Sequence, residues 1–203
     1  MKAIHKKDLQ TSKWSGGTST TLYIYPETAS YQERNFLFRI STASIEVEES
    51  VFTSLPGISR VIMVLEGEIQ LHHEGQHSAS LCKFDTDCFS GDWKTICSGK
   101  AIDFNLMCTG ATQGNLHGVR LNIGSIWNVN SLKEDDVFGY YVYKGRLNVS
   151  TSTQIIQVNR GELLLFFNED REDRLTLEAM ADSELAVITV VIKTKAPSPL
   201  NTN

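Results

Sequence analysis

Apolar residues recur at every second position in several short segments of this chain, a period typical of β-strands with two different faces. The clearest segment is GKAIDFNLMC (99–108), in which the apolar set is Ile102, Phe104, Leu106 and Cys108 and the intervening set is Asp103, Asn105 and Met107. We therefore predict a strand here. Its apolar face should pack against a core, and its other face carries an acid and an amide side by side.

Further short β-rich runs are separated by glycine-containing turns. The predicted strand regions are 18–25, 35–47, 59–81, 138–150, 153–167 and 173–192, with turns inside 59–81 at Glu66-Gly67 and Glu74-Gly75. One short helix is considered, around 129–136, and the polar, proline-containing tail 196–203 is expected to be frayed. This distribution predicts an all-β sandwich or barrel.

A strand, a glycine turn and a second strand follow one another twice along the chain. The first copy is VIMVLEGEIQL and the second is YYVYKGRLNV, and each is followed by a further strand, a turn of small residues and an alternating strand. Such a repeat predicts two related β-barrels joined by a crossing segment at 109–125. We assign 1–112 to the N-terminal strands and first barrel, and 113–195 to the second barrel.

Length and charge narrow the class of protein. The chain has 203 residues, 41% hydrophobic and 21% charged, with a formal net charge of −5, as in ordinary globular proteins. No basic stripe with interleaved aromatic residues is present, so we predict no nucleic-acid partner. No apolar run reaches the roughly 18 residues that span a bilayer, and the N-terminus lacks the apolar core of a signal peptide. We predict no membrane contact and a cytoplasmic location.

Cysteine and histidine do not predict a metal centre. The four cysteines form no CxxC pair and are expected to be reduced thiols. His72, His73 and His77 flank the sequence EGQ, which looks like a hairpin tip. Adjacent strand residues point to opposite faces, so His72 and His73 cannot ligate one interior metal. We predict a solvated hairpin, no metal and no cofactor.

The polar face of 99–108 has two interpretations. Such a face normally meets water. Alternatively it lines the mouth of a small barrel that holds one ligand. In that case Arg39, which shares a strand face with Ser41, would grip a carboxylate through paired hydrogen bonds. Asp103 would balance Arg39 or bind a donor on the ligand, and Asn105 offers both donors and an acceptor.

A set of short motifs resembles the HutD/Ves family of the cupin superfamily. In chain order they are WSGGT (14–18), FRISTA (38–43), FTSLPGISR (52–60), LEG (65–67), FSGD (89–92) and DFNLM (103–107). They cover nearly the whole first half, whereas the second half matches only loosely. The resemblance implies a bicupin, with two packed cupin-type β-barrels. It also implies a link to histidine utilisation or stress responses, including regulation through binding a pathway intermediate such as urocanate.

The resemblance also selects the inward-facing interpretation. The ligand-binding residues that it implies in the first barrel, the last two of them near the rim, are Arg39, Ser41, Asp103, Asn105, Arg60 and Asp92. Metal-binding cupins carry a His-x-His pair and a glutamate just before the position of VLEG, where this chain has FTSLPGISR without either residue type. The resemblance therefore implies a metal-free protein.

Three functions remain open from the sequence. The first is a metal-free bicupin that binds a small polar, anionic metabolite. The second is a metal-free isomerase or hydrolase that uses Asp103 as acid or base, ranked lower because Arg39 beside Asp103 should lower the pKa of that carboxyl. The third is a structural dimer module without a ligand, and a homodimer is left open in all three. No catalytic residue is assigned.

Overall fold

Antiparallel strands make up the fold in the part of the chain that the computed structural model describes, residues 1–130, 136–168 and 174–192. These strands form four sheets, and one short 3₁₀ helix, Lys6–Asp8, lies wholly within the described residues. The prediction of an all-β protein is confirmed. Within the same ranges, no helix has the length and apolar character that crossing a membrane requires.

The first half of the chain forms a sandwich of two sheets. Its strands are β2 (Gln10–Trp14), β3 (Gly17–Tyr25), β4 (Phe38–Ile45), β5 (Glu49–Val51), β6 (Ile58–Gly67), β7 (Ile69–His73), β8 (Ser78–Leu81), β9 (Thr86–Ser90), β10 (Thr95–Ser98) and β11 (Ala101–Thr109). A six-stranded sheet in the order β2-β3-β4-β11-β6-β9 shares an apolar core with a four-stranded sheet in the order β5-β10-β7-β8. The predicted turn at Glu74-Gly75 is present, whereas the one at Glu66-Gly67 is wrong, because the chain there passes directly from β6 in one sheet to β7 in the other; both glycines have positive φ.

The second half repeats this arrangement. Its strands are β12 (Gln113–Leu121), β13 (Ile126–Asn130), β14 (Val137–Lys144), β15 (Arg146–Ser150), β16 (Ile155–Asn159), β17 (Leu163–Phe167), β18 (Arg174–Ala179) and β19 (Ser183–Val191). A four-stranded sheet in the order β13-β18-β15-β16 packs on a five-stranded sheet that contains β17, β14, β19 and β12. The prediction of a helix around 129–136 is wrong for Val129 and Asn130, because these two residues end strand β13. Residues 131–135 and the tail 196–203 lie outside the described residues.

The largest apolar cluster lies between the two halves. Phe104, Leu106 and Cys108 on β11 are buried against residues of the five-stranded sheet, and the rings of Phe104 and Tyr141 have centroids 5.1 Å apart. Burying a side chain of the size of leucine or phenylalanine contributes about 1.5–3 kcal/mol. The apolar face of 99–108 therefore joins the halves, and the face that carries Asp103 and Asn105 points into the first sandwich.

The first strand of the chain lies in the second half. β1 (Lys2–Ile4) pairs with β17, with Lys2 opposite Leu165, and Nδ1 of His5 lies 2.9 Å from Oε1 of Glu162. Apart from β1, sheet membership changes between β11 and β12. The predicted crossing segment 109–125 thus contains a strand, and the division at 112/113 stays a prediction about domains.

Candidate functional site

A cavity of about 250 Å³ opens inside the first sandwich, beside its apolar core. Strands β3, β4, β6 and β11 supply most of its polar lining, which includes Ser19, Arg39, Ser41, Arg60, Asp103 and Asn105. Trp14, Tyr31 and Phe52 add aromatic walls. Five of the six predicted site residues thus line one cavity.

Strand register explains why these side chains converge. Asp103, Asn105 and Met107 on β11 lie directly opposite Ala43, Ser41 and Arg39 on β4. Directly opposed residues share a face of the sheet, so the alternation that sends Phe104 towards the second half sends this set inwards. Asp103 is only 2% exposed, so the alternative of a solvated face is wrong.

Arg39 is held by hydroxyl groups. Its Nη2 and Nε donate hydrogen bonds of 2.7 and 3.2 Å to Oγ1 of Thr21, and its Nη1 donates one of 2.9 Å to Oγ of Ser41. The guanidinium carbon lies 4.4 Å from the centre of the Tyr31 ring. The predicted pairing of Arg39 with Asp103 is not observed, because neighbouring β3 supplies hydroxyl acceptors instead.

Arg60, not Arg39, is linked to the carboxyl group of Asp103, through Asn105. It was expected near the rim, yet it is only 8% exposed, because β6 directs it inwards. Its guanidinium carbon lies 5.0 Å from the centre of the Phe52 ring and 4.9 Å from that of Phe89. Its Nη2 donates a 2.9 Å hydrogen bond to Oδ1 of Asn105, and Nδ2 of Asn105 in turn donates to Asp103. Nε of Arg60 is buried and has no hydrogen-bond partner.

Burial controls the charge state of this group of residues. It raises the pKa of Asp103 from 3.8 to about 7, because loss of water outweighs the attraction of Arg60 and the hydrogen bond from Asn105. The expectation of a lowered pKa for this carboxyl is therefore wrong. Burial also lowers the pKa of Arg60 to about 10, which leaves its guanidinium protonated at neutral pH. The cavity consequently carries more positive than negative charge.

Asp92 lies outside the cavity. Its Oδ2 accepts hydrogen bonds from the Ser90 hydroxyl at 2.9 Å and from the Gly57 N–H at 3.3 Å, and the residue is exposed. β9 ends at Ser90, so the following turn carries Asp92 away from the cavity. The carboxylate ties two turns together, a common role of aspartate in turns, and Asp92 is not brought to the rim of the cavity.

Residues that the sequence interpretation missed lie at the tip of the β7–β8 hairpin. The prediction of a solvated hairpin is wrong for His73, which is fully buried. Nε2 of His73 and Nε2 of His77 lie 2.8 and 2.9 Å from the two carboxylate oxygens of Asp87 on β9. The sequence did carry a signal for this pair: His73 and His77 flank a predicted turn, and residues that face each other across a hairpin turn lie on one face.

A metal ion does not suit the cavity itself. Its charged lining consists of Lys13, Arg39, Arg60 and the single carboxyl of Asp103, and its lining includes no histidine or cysteine. Cationic side chains have no lone pair to offer a metal. A larger groove of about 610 Å³ lies against β12, but Arg60 is the one charged residue in its lining, so the smaller cavity is the better candidate site.

Comparison with known sequences gives a consistent family. The HutD family model matches residues 6–187. A curated relative, described as an uncharacterized 21.2 kDa protein in the hutC 3′ region of Pseudomonas putida, is 33% identical over 111 residues. That alignment covers 53% of this chain and 57% of the relative, so the chain spans little more than half the length of this curated protein.

Comparison with solved structures shows the fold. A conserved protein of unknown function from Pseudomonas aeruginosa PAO1 superposes with a TM-score of 0.78 at 20% identity, and HutD from Pseudomonas fluorescens SBW25 (formate condition) with 0.71 at 17%; each match covers 95% of this chain and 99% of the other. Bacillus subtilis oxalate decarboxylase gives 0.70 at 6% identity over 93% of this chain and 76% of that one. The bicupin prediction is confirmed, although the sheets form open sandwiches rather than closed barrels.

Proposed function

This chain belongs to the HutD family, and from that premise we propose that its first half binds a small carboxylate metabolite in the cavity around Arg39 and Arg60. One observation carries the proposal. Arg60 is buried and protonated, its Nε has no partner, and its nearest carboxyl group, Asp103, is only partly ionised at neutral pH. A buried cation without a full counter-charge is costly, and a bound anion would supply that charge.

The two arginines suit different parts of such a ligand. Arg60 lines the cavity and its guanidinium is protonated, so it can join a charged hydrogen bond to a carboxylate. Arg39 is already fixed by Thr21 and Ser41, so it adds positive charge without reorganisation. Fixed donors of this kind reduce the ordering that binding requires.

The size of the cavity and its aromatic walls further limit the class of ligand. A cavity of about 250 Å³ lies below the usual range of pockets for drug-sized ligands, yet it exceeds the space of a single water. The aromatic rings of Trp14, Tyr31 and Phe52 favour a flat or unsaturated group next to the carboxylate. A small planar carboxylic acid fits both properties.

The relatives support a place in histidine utilisation, with stress response as the alternative that the family resemblance allows. One relative lies in the hutC 3′ region of its genome, and one of the similar solved structures is HutD. We propose that the chain is a regulator that senses a carboxylate intermediate of this pathway, such as urocanate, in a cavity that holds no metal. Cytoplasmic location, the absence of nucleic-acid and membrane partners, and a homodimer stay predictions.

A ligand screen with matched molecules tests the proposal. Thermal shift and calorimetry on untagged protein should show binding of urocanate, benzoate or formate, and no binding of benzamide, which has the shape of benzoate without its charge. Replacing Arg60 with methionine should weaken binding at least about tenfold, because a hydrogen bond to a charged group contributes about 1.5–3 kcal/mol. Arg120→Met is the control, because Arg120 stacks on Phe84 outside the cavity.

The same screen separates the alternatives. If no carboxylate stabilises the protein, the binding proposal is wrong and a structural module without a ligand is favoured. If Arg60→Met and Arg120→Met weaken binding equally, the ligand is bound elsewhere. Both variants should keep the wild-type circular dichroism spectrum.

A metal-free enzyme is a second candidate that one observation favours. The pKa of Asp103 near 7 is suited to a general acid or base, and such a shift is common in active sites. Incubating the bound carboxylate with protein and following it by NMR decides between the two. Conversion that is lost in Asp103→Asn, with binding retained, would indicate an enzyme; an unchanged ligand indicates a binding protein.

A further inference from the structure

We infer that His73, Asp87 and His77 form a binding site for a divalent transition-metal ion such as Zn²⁺, at the tip of the β7–β8 hairpin. The cluster is separate from the carboxylate cavity, and the inference does not depend on the proposed function. It departs from the sequence-based prediction of a metal-free protein, which considered His72 and His73 and not the pair across the turn.

The hairpin backbone brings the two histidines together. His72 pairs with Ser78, so the next pair along the hairpin is His73 with His77, and the His73 N–H donates a 2.9 Å hydrogen bond to the His77 carbonyl. Opposed residues point to the same face, and the two imidazole rings have centroids 4.6 Å apart. Asp87 reaches the same point from β9 in the other sheet of the sandwich.

The ligand atoms already converge. Both carboxylate oxygens of Asp87 are within 2.9 Å of an imidazole Nε2, and the candidate ligand atoms of the three residues all lie within 4.8 Å of one another. Zinc bonds to nitrogen and oxygen are about 2.0–2.2 Å long, so tetrahedral ligand atoms lie about 3.3 Å apart. Two imidazoles and one carboxylate are the ligand set of several zinc sites that keep a position for water.

The surroundings of His73 orient its ring for metal binding. Its Nδ1 lies 2.8 Å from Oγ1 of Thr95, and that hydroxyl is placed to donate to the Trp93 carbonyl at 3.4 Å. The hydroxyl oxygen can therefore accept from Nδ1–H, and the proton in the hydrogen bond between Nε2 and Asp87 is the one that a bound metal would displace. A hydrogen bond that fixes the second ring nitrogen in this way orients metal-binding histidines.

Burial gives the cluster a closed side and an open side. The side chain of His73 is 0% exposed and that of Asp87 10%, whereas that of His77 is 41% exposed. Phe89 and Trp93 pack on His73 with ring centroids 4.6 and 5.6 Å away. A metal could therefore enter past His77 and complete its coordination with water. Nitrogen ligands favour zinc and its neighbours over Mg²⁺ and Ca²⁺, which prefer oxygen.

Competition with a chromophoric chelator tests the site on untagged, EDTA-treated protein. We expect one Zn²⁺ per chain, a rise in melting temperature with Zn²⁺ and none with Mg²⁺. His77→Ala removes an exposed ligand and should weaken Zn²⁺ binding at least about tenfold, and Asp87→Asn should do the same. His72→Ala is the matched control, because His72 lies on the same hairpin but bonds to Ser78 instead of joining the cluster.

Co²⁺ gives a second readout, which reports the coordination geometry of the bound metal. The intense visible absorption of a tetrahedral Co²⁺ complex should appear with wild-type protein and with His72→Ala, and be absent from His77→Ala. Circular dichroism melting checks that His77→Ala is folded, so the test stands even if Asp87→Asn does not fold. The inference is wrong if no stoichiometric Zn²⁺ binds, or if His77→Ala binds Zn²⁺ as the wild type does; the trio would then be a hydrogen-bonded network only.

Discussion

Raising the pH should weaken carboxylate binding to the cavity, and Asp103→Asn should remove most of that effect. Benzoate is the suitable probe, because its single carboxyl group is ionised throughout the neutral range. Burial raises the pKa of Asp103 to about 7 in the empty cavity. A bound carboxylate raises it further, since a nearby like charge disfavours ionisation. Binding of the anion therefore takes up a proton.

The size of the cavity sets the magnitude of this change in affinity. A cavity of about 250 Å³ has a diameter of about 8 Å, and two like charges at that separation repel by about 2 kcal/mol at an effective dielectric constant of about 20. This energy corresponds to about a 30-fold change in affinity. Affinity should be constant well below pH 7, fall as the pH rises through about 7, and level off at about pH 9, where Asp103 is ionised with or without ligand.

Calorimetry at several pH values measures the effect, and buffers with different heats of ionisation count the proton directly. Asp103→Asn should bind benzoate with one affinity across this range, about 30-fold tighter than the wild type at about pH 9. Asp92→Asn removes the same charge outside the cavity and should keep the wild-type profile. An unchanged pH profile in Asp103→Asn, or binding without proton uptake at neutral pH, would refute the role given to this carboxyl.

Three further predictions concern stability. The first concerns Asp103, whose pKa is raised in the folded protein. The stability that its protonated form contributes is full below about pH 4 and is lost as the pH rises to about 7. In urea unfolding at neutral pH, Asp103→Asn should therefore be more stable than the wild type by up to about 4 kcal/mol, and equal stability would contradict the shift. The Tyr140 hydroxyl is buried without a partner, so Tyr140→Phe should raise the free energy of unfolding by about 1 kcal/mol, and a loss of stability would count against this. Gly67→Ala should lower the melting temperature more than Gly75→Ala, because both glycines have positive φ but only at Gly67 would a methyl group meet a neighbouring backbone carbonyl, that of Lys100; equal losses would exclude that clash.

The strand pattern could be predicted from the sequence because alternation is a local property. The segment 99–108 carries its apolar and polar faces in its own letters, and the structure places β11 there. Which face points inwards is not local, because both faces of β11 are buried: one between the halves and one inside the first sandwich. The family resemblance, not the alternation, selected the inward face for Asp103.

The pairing of charges could not be predicted, because it depends on register between strands. Arg39 and Arg60 lie on opposite sides of Met107, one on β4 and one on β6, and β6 shifts register against β11 between Ile102 and Asp103. That irregularity contributes to the arrangement in which Arg60, not Arg39, approaches the carboxyl. The approach of His73 and His77 could not be predicted for the same reason, since it depends on the turn that joins β7 and β8.

The pairing of β1 with β17 has a consequence for synthesis on the ribosome. His5 and its partner Glu162 are 157 positions apart, so at about 5–20 residues per second the first strand waits roughly 8–30 s for its partner to be made. The outer face of the six-stranded sheet, with Phe104 and Leu106, stays uncovered from the synthesis of β11 until β19 is made, because the five-stranded sheet is not complete before then. The nascent chain, rather than the finished protein, is therefore the stage at which aggregation has to be avoided, and chaperone binding should concentrate there.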